Sequence, residues 1–199
     1  MNAIHLFSVV SGHGRPGTED ARVSIEVLDD LAAELARIFQ VSCHVHEEPF
    51  PAGFAYEAVR GQYYSTAIVQ RMQSLCSDEE TRVLGVTGLD LYIPILTYVF
   101  GEAQLGGRCA LVSLHRLREE FYGLPPNEQL LRERAVKECV HELGHVLGLR
   151  HCFDWRCVMA STHDVERLDL KGEEYCPACR AAASLQRPAP RSPGLLSTF

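Results

Sequence analysis

The sequence predicts an α/β fold in which helices cover a mainly parallel β-sheet. Short apolar segments typical of buried strands alternate along the chain with segments whose apolar residues recur at helical spacing. The length of 199 residues, with 46% hydrophobic and 23% charged residues, suits one packed domain with at most a small extension. This composition excludes a wholly disordered chain.

Four segments have the apolar, β-branched composition of strands and are bounded by turn residues. They are residues 4–10, 41–46, 82–87 and 108–114. Residues 49–61 contain prolines and glycines and are predicted to form a turn-rich connection. Residues 98–107, which end in two glycines, are expected to supply a short edge strand.

Three helices are predicted between and after these strands. The first is expected to begin at Thr18 or Asp20 and to run to about residue 39. Ser65 is the expected cap of the second, which runs through residue 75. The third follows two prolines at Asn127 and ends at Gly148, the residue best suited to a left-handed helix stop. Its apolar stripe consists of Val136, Val140, Leu143 and Leu147.

The charge balance argues against nucleic acid or an anionic membrane as a partner. The chain has 19 Lys and Arg against 26 Asp and Glu, which gives a formal net charge of −7, and no block of basic residues is present. The best candidate for a membrane span, residues 91–101, is far shorter than the roughly 20 residues required. The first residues also lack the features of a secretion signal. We therefore expect a cytoplasmic protein.

Residues at the end of the third helix form the pattern H-E-x-x-H-x-x-G-x-x-H. His141 and His145 are four residues apart, so they share one helix face and can bind the same ion. Gly148 lets the chain reverse, which brings His151 round as a third ligand and leaves one coordination position open. An open position is typical of a catalytic zinc ion that activates water, and Glu142 is placed to act as its general base.

The eight cysteines fall into two groups, and disulfides are not expected in a reducing cytoplasm. The clustered group consists of Cys152, Cys157, Cys176 and Cys179. Two close pairs of thiols predict a closed tetrahedral zinc site, which is structural because it has no vacancy for water. Redox chemistry of the C-x-x-C pair is the alternative. The scattered group, interpreted as small buried hydrophobic residues, consists of Cys43, Cys76, Cys109 and Cys139.

The segment from His141 to Cys179 resembles the archaemetzincins, a branch of the metzincin zinc peptidases. In that family the three-histidine motif continues directly into a cysteine, as His151 does into Cys152, and C-x4-C, a methionine and C-x2-C follow. Met159 occupies the methionine position, and the spacing from it to the last pair is one residue shorter than in the family pattern. Residues 60–66, 89–94 and 100–108 are also similar to the family.

The resemblance implies a role for each of these residues. His141, His145 and His151 would bind the catalytic zinc ion, with Glu142 as the base. The four clustered cysteines would bind a structural zinc ion, so that the chain carries two zinc ions. Met159, otherwise ordinary core filler, would lie beneath the catalytic ion.

The resemblance also implies a zincin-like α+β architecture. Its twisted, mostly parallel sheet would have an antiparallel edge strand that aligns the substrate, and residues 98–107 are the candidate. Residues 1–148 would form the catalytic subdomain that ends with the active-site helix. A small irregular zinc-binding subdomain would occupy residues 149–186, with the substrate cleft between the two, and residues 187–199 would be a flexible tail.

The function predicted from these features is that of a zinc-dependent peptidase acting on peptides or small proteins, with a monomer favoured. The main alternative is a non-enzymatic zinc protein that binds peptides or acts as a scaffold, and the presence of Glu142 favours the enzyme. A nucleic-acid-binding cysteine module conflicts with the net charge.

Two weaker features have two interpretations each. His44 and His46 either bind a metal or lie on a solvated strand face. Arg60 and Tyr63 either line the cleft or anchor a loop.

Overall fold

The computed structural model describes residues 1–12, 21–76 and 78–185. The strands within them are β1 (Ala3–Val10), β2 (Ser42–Pro51), β3 (Tyr56–Glu57), β4 (Gln62–Tyr64), β5 (Thr81–Thr87), β6 (Leu91–Tyr92), β7 (Gly101–Ala103) and β8 (Cys109–Ser113). The helices are α1 (Ile25–Phe39), α2 (Ser65–Met72), α3 (Glu128–Val146), α4 (Val165–Leu170) and α5 (Pro177–Ala182). No helix in the described ranges is both long and apolar enough to cross a bilayer.

The main sheet has the strand order β2-β1-β5-β8-β7. The first four strands are parallel to one another, and β7 pairs with β8 in the antiparallel direction, with Gly101 opposite Val112. The predicted mixed α/β fold with a mostly parallel sheet and an antiparallel edge strand is therefore confirmed. A second, three-stranded sheet has the order β3-β4-β6.

Alternating side chains of the main sheet bury two separate hydrophobic clusters. Ile4 and Leu6 of β1 face α1 and α3, whereas Phe7 and Val9 face α2. Because side chains of a strand point alternately to opposite faces, this pattern places α1 and α3 on one face of the sheet and α2 on the other. Helix α3, which carries the histidine motif, is thus backed by β8 and lies beside the edge strand β7.

Three boundaries differ from the sequence-based expectations. The described part of α1 begins at Ile25 with Ser24 as its cap, and the expected caps Thr18 and Asp20 lie outside the described residues. β2 continues to Pro51 through a region expected to be turns, because it is an edge strand and proline there loses no ladder hydrogen bond. Ser65 was wrongly expected to cap α2. It is the first residue of that helix, and its hydroxyl donates to the carbonyl of Tyr92.

The segment after α3 packs into the main hydrophobic cluster. Its buried members are Leu149, Cys157, Val158, Met159, Val165, Leu168 and Tyr175. Charged side chains of α3 also hold this segment, since Arg134 forms an ion pair with Asp169 and Lys137 donates to the carbonyl of Leu168. The predicted flexible tail, residues 187–199, lies outside the described residues.

Candidate functional site

Helix α3 carries the first two histidines of the motif. Asn127 caps it, as expected after the two prolines, and accepts a hydrogen bond from the backbone N–H of Leu130. The helix is buried along the predicted stripe of Val136, Val140 and Leu143. This packing fixes the rotation of α3 about its axis, so His141 and His145 both face the groove between β7 and the segment after α3.

The rings of these two histidines are held by main-chain carbonyls. Nδ1 of His141 donates to the carbonyl of Val158 and Nδ1 of His145 donates to the carbonyl of Leu149, each at 2.8 Å. A proton on Nδ1 leaves Nε2 with a free lone pair, and the two Nε2 atoms are 3.1 Å apart. Two imidazole ligands of a tetrahedral zinc ion would be about 3.3 Å apart, so the pair matches this ion.

His151 joins the pair because the chain reverses at Gly148. That glycine has φ +89°, which confirms the predicted left-handed helix stop. The His151 ring centroid lies 5.3 Å from that of His141 and 4.9 Å from that of His145. One nitrogen from each ring lies within 4.8 Å of the others, so the three could hold one ion.

Glu142 is buried beside this group. Burial raises the pKa of its carboxyl group well above the usual value, and the nearby carboxylate of Glu138 adds to the effect. Its side chain lies against Gly101 of β7, where a Cβ atom would come within 2.7 Å of Glu142 Cγ. Burial likewise lowers the pKa of His141 well below 6.5, which favours the neutral ring that a metal ion requires.

A buried ion pair lies one turn before the motif. Lys171 Nζ is 3.0 Å from Glu138 Oε1, and the two side chains are 1% and 4% exposed. Because Glu138 belongs to α3 and Lys171 follows α4, the pair joins the active-site helix to the segment after it.

Met159 and Tyr175 pack against α3 at Gly144, which lies between His141 and His145 in the sequence. A methyl group on Gly144 would overlap Met159 Sδ and would lie 3.0 Å from Tyr175 Cε1. The absence of a side chain at Gly144 therefore lets Met159 and Tyr175 pack directly against the backbone of α3. The Tyr175 hydroxyl donates to the carbonyl of Val140 at 2.7 Å. Sequence reasoning missed Gly144, Tyr175 and the Glu138–Lys171 pair, because no local pattern distinguishes a glycine, tyrosine or lysine that packs under a helix from any other.

The clustered cysteines come together as predicted. The Sγ atoms of Cys152, Cys157, Cys176 and Cys179 lie within 4.8 Å of one another. Cys152 Sγ and Cys176 Sγ are 3.9 Å apart, close to the separation of about 3.8 Å between two thiolates on a tetrahedral zinc ion. Cys176 precedes α5, and the backbone N–H of Cys179 is the main cause of its lowered pKa. Its own backbone N–H donates to Cys157 Sγ at 3.3 Å.

A cleft with a volume of about 810 Å³ passes over the three histidines. One wall is the segment from Leu96 to β7, and the other is the segment Ser161–His163 that follows Met159. The backbone N–H of Gly106 donates to the carbonyl of His145 at 2.9 Å, which ties the end of the β7 wall to α3.

The other residues that the sequence analysis considered do not line this cleft. His44 is exposed and His46 is half-buried, with His46 Nε2 2.9 Å from His5 Nδ1 on the neighbouring strand. Arg60 donates to the carbonyls of Leu96 and Thr97, as expected for a residue that anchors a loop. Of the scattered cysteines, Cys109 and Cys139 are buried, and Cys43 and Cys76 are half-buried.

The sequence agrees with those of known proteins. Residues 20–187 match the model of peptidase family M54. The chain is 45% identical to the archaemetzincin of Methanocaldococcus jannaschii over 157 residues, which cover 79% of this chain and 85% of that protein.

Solved structures extend the agreement to the fold. The archaemetzincin of Archaeoglobus fulgidus, crystallised with malonate, has a TM-score of 0.74 and 34% identity, covering 90% of this chain and 99% of that one. A zinc-dependent peptidase from Methanocorpusculum labreanum has a TM-score of 0.76 and 28% identity over the same shares of the two chains. The family match and these relatives show that the chain belongs to peptidase family M54, the archaemetzincins, and is a zinc-dependent metallopeptidase.

Proposed function

We propose that the chain binds two zinc ions with different tasks. His141, His145 and His151 hold the catalytic ion and leave a position open to the cleft. The four clustered cysteines hold a structural ion in a closed site. Because His151 and Cys152 are consecutive, one peptide unit carries a ligand of each site, and the structural ion then fixes the position of the third histidine.

The hydrogen bonds of His141 and His145 are the observation that carries the catalytic assignment. Both Nδ1–H groups donate to main-chain carbonyls, so each Nε2 atom carries a lone pair. The two Nε2 atoms are 3.1 Å apart, and a proton or a cation between them is required to offset the repulsion of their lone pairs. Burial disfavours the proton. A zinc ion satisfies both nitrogens without adding an N–H group.

Glu142 is the general base in this proposal. Zinc, when bound, supplies a Lewis acid that activates water and stabilises negative charge on the scissile carbonyl oxygen. The Glu142 carboxylate accepts the proton of the attacking water and passes it to the leaving amine. Burial suits this task, because it raises the pKa of the carboxyl group above its usual value and so makes the carboxylate a stronger base.

The peptide substrate is proposed to lie extended along β7, the free edge of the main sheet. Edge strands offer unpaired backbone groups to an added strand.

We further propose that the chain is divided into a catalytic part, residues 1–148, and a zinc-binding part, residues 149–186. We also propose that the enzyme is a cytoplasmic monomer without nucleic acid or membrane partners, and the net charge of −7 supports the absence of these two kinds of partner.

The substitution Glu142→Gln tests the mechanism. It should leave two zinc ions per chain, because Glu142 is not a ligand, and lower kcat for peptide cleavage at least about a hundredfold. The measurements are elemental analysis under reducing conditions and product sequencing with a diverse peptide library, with and without a chelator.

Glu133→Gln is the matched control, since Glu133 is an exposed carboxylate on the same helix and should leave cleavage unchanged. If Glu142→Gln cleaves as fast as the parent, Glu142 is not the base. One zinc ion per chain would refute the two-ion assignment. Two zinc ions with no cleavage of any peptide would favour the alternative, a zinc protein that binds peptides without cutting them.

A further inference from the structure

A hydrogen bond joins the two walls of the cleft. The hydroxyl of Tyr98 donates to the carbonyl of His163 at 2.6 Å, and both residues line the cleft. Tyr98 belongs to the wall that leads into β7, and His163 belongs to the wall that follows Met159. A side chain that bridges both walls obstructs an extended chain that would pass between them.

The bridging side chain is held rigidly from behind. The guanidinium of Arg116 lies 4.2 Å from the centre of the Tyr98 ring, and the Phe100 ring meets it edge to face at 5.4 Å. Arg116 is itself fixed by two hydrogen bonds of 2.7 Å to the carboxylate of Asp90. We call this chain of contacts, from Asp90 through Arg116 and Tyr98 to His163, the Tyr98 strut.

The strut crosses the cleft at a defined distance from the reacting groups. The β7 wall passes His145 at Gly106 and Glu142 at Gly101, and it reaches Tyr98 three residues before Gly101. The chain bends at Phe100 between these two positions, so the distance is at most the roughly 10 Å that three residues of extended chain span. A peptide lying along this wall therefore meets the strut within about three residues of the bond that faces Glu142.

We propose that Tyr98 is a specificity-determining residue that limits substrates to chains ending within about three residues of the scissile bond on the strut side. This inference rests on the proposed function, because it needs the peptide to lie over the three histidines. The substrate class is thus a peptide or unfolded segment with an accessible chain end. An internal bond of a long chain, continuous on both sides, is excluded.

The test compares one peptide with different ends. A peptide that the parent cleaves is fused to a small folded domain at its N-terminus, at its C-terminus, or at both. The parent should cleave the free peptide and one of the two singly fused forms, which identifies the end that faces the strut. It should cleave the doubly fused form far more slowly than the free peptide.

Tyr98→Ala should remove the restriction. The ratio of kcat/KM for the free peptide to that for the doubly fused form should fall about tenfold or more. Tyr98→Phe keeps the ring on Arg116 and removes only the hydrogen bond, so it should shift the ratio in the same direction without disturbing the packing. A general loss of stability changes both rates together and leaves the ratio unchanged.

Ser74→Ala is the control. The Ser74 hydroxyl also donates to a main-chain carbonyl, that of Arg71, but Ser74 neither lines the cleft nor contacts a residue of the Tyr98 strut. The ratio should therefore stay at the parent value.

Cleavage of the doubly fused form by the parent at the rate of the free peptide would overturn the inference. An unchanged ratio in both Tyr98 variants, with normal zinc content, would also overturn it. If the zinc-loaded parent cleaves no free peptide at all, the proposed function fails, and the inference that depends on it falls as well.

Discussion

Breaking the buried ion pair between Lys171 and Glu138 should destabilise the protein strongly. The two side chains are 1% and 4% exposed, and their charged atoms are 3.0 Å apart. Lys171→Met keeps much of the buried volume but leaves the Glu138 carboxylate without its partner cation in a site shielded from water. The carboxylate must then remain as an uncompensated charge or take up a proton, and both cost free energy.

The expected loss is about 3–5 kcal/mol in the free energy of unfolding, the usual cost of removing one partner of a buried pair. The total for a domain is about 5–15 kcal/mol, so this single change consumes a large fraction of it. Replacing both partners, with Glu138→Leu and Lys171→Met, removes the charge together with its desolvation cost. The double variant should be within about 1 kcal/mol of the parent or more stable than it.

Urea unfolding of the zinc-loaded protein at constant free zinc measures these differences. Arg132→Met is the control, because Arg132 pairs with Asp30 at 2.6 Å but the two side chains are 48% and 46% exposed. It should cost less than about 1 kcal/mol. The reasoning would be refuted if Lys171→Met lowered the free energy of unfolding by as little as the control does. It would also be refuted if the double variant were as unstable as Lys171→Met alone, because burial would then not explain the loss.

Three further changes test other parts of the molecule. Gly144→Ala should cost about 1–3 kcal/mol of stability by thermal unfolding, because its methyl group overlaps Met159 Sδ, and an unchanged Tm would contradict the close packing. Replacing Cys176 and Cys179 together by Ser should remove one zinc ion and increase the rate of amide hydrogen exchange around α5. The amides of α4 should stay protected, because Val165 and Leu168 of this helix are buried in the main hydrophobic cluster. Faster exchange in α4 would contradict this prediction. The metal-free protein should lose stability as the pH falls below about 6.5. Burial lowers the pKa of His141 in the folded state, so the unfolded chain binds a proton at a higher pH than the folded chain does. A urea midpoint that does not change between pH 7 and pH 5 would contradict this prediction.

Local sequence determined the active-site helix and its metal-binding pattern. Histidine spacing of four residues, a cap at Asn127 and a glycine stop at Gly148 are short-range properties, and α3 has each of them. The same holds for the alternation of strands and helices that predicted the α/β fold. The clustered cysteines were likewise recognisable because their ligand spacing is local within each pair.

Tertiary structure alone decided how these groups are oriented and what surrounds them. The carbonyls of Val158 and Leu149 select the Nδ1–H tautomer of His141 and His145. No periodic pattern in the sequence predicts such contacts. Pairings such as Lys171 with Glu138 join residues more than 30 positions apart. Side chains become partners in this way only when strand order and helix packing bring distant segments together.

The edge of the sheet shows the same division. The composition of residues 98–107 predicted a short edge strand, but only Gly101–Ala103 pairs with β8. The residues before it form a cleft wall whose course is set by contacts such as those of Tyr98 with Arg116 and His163. The sequence by itself therefore determined which chemistry the protein carries, because metal ligands are specified by local spacing. The tertiary structure decided the shape of the cleft, since that shape depends on contacts between segments far apart in the chain.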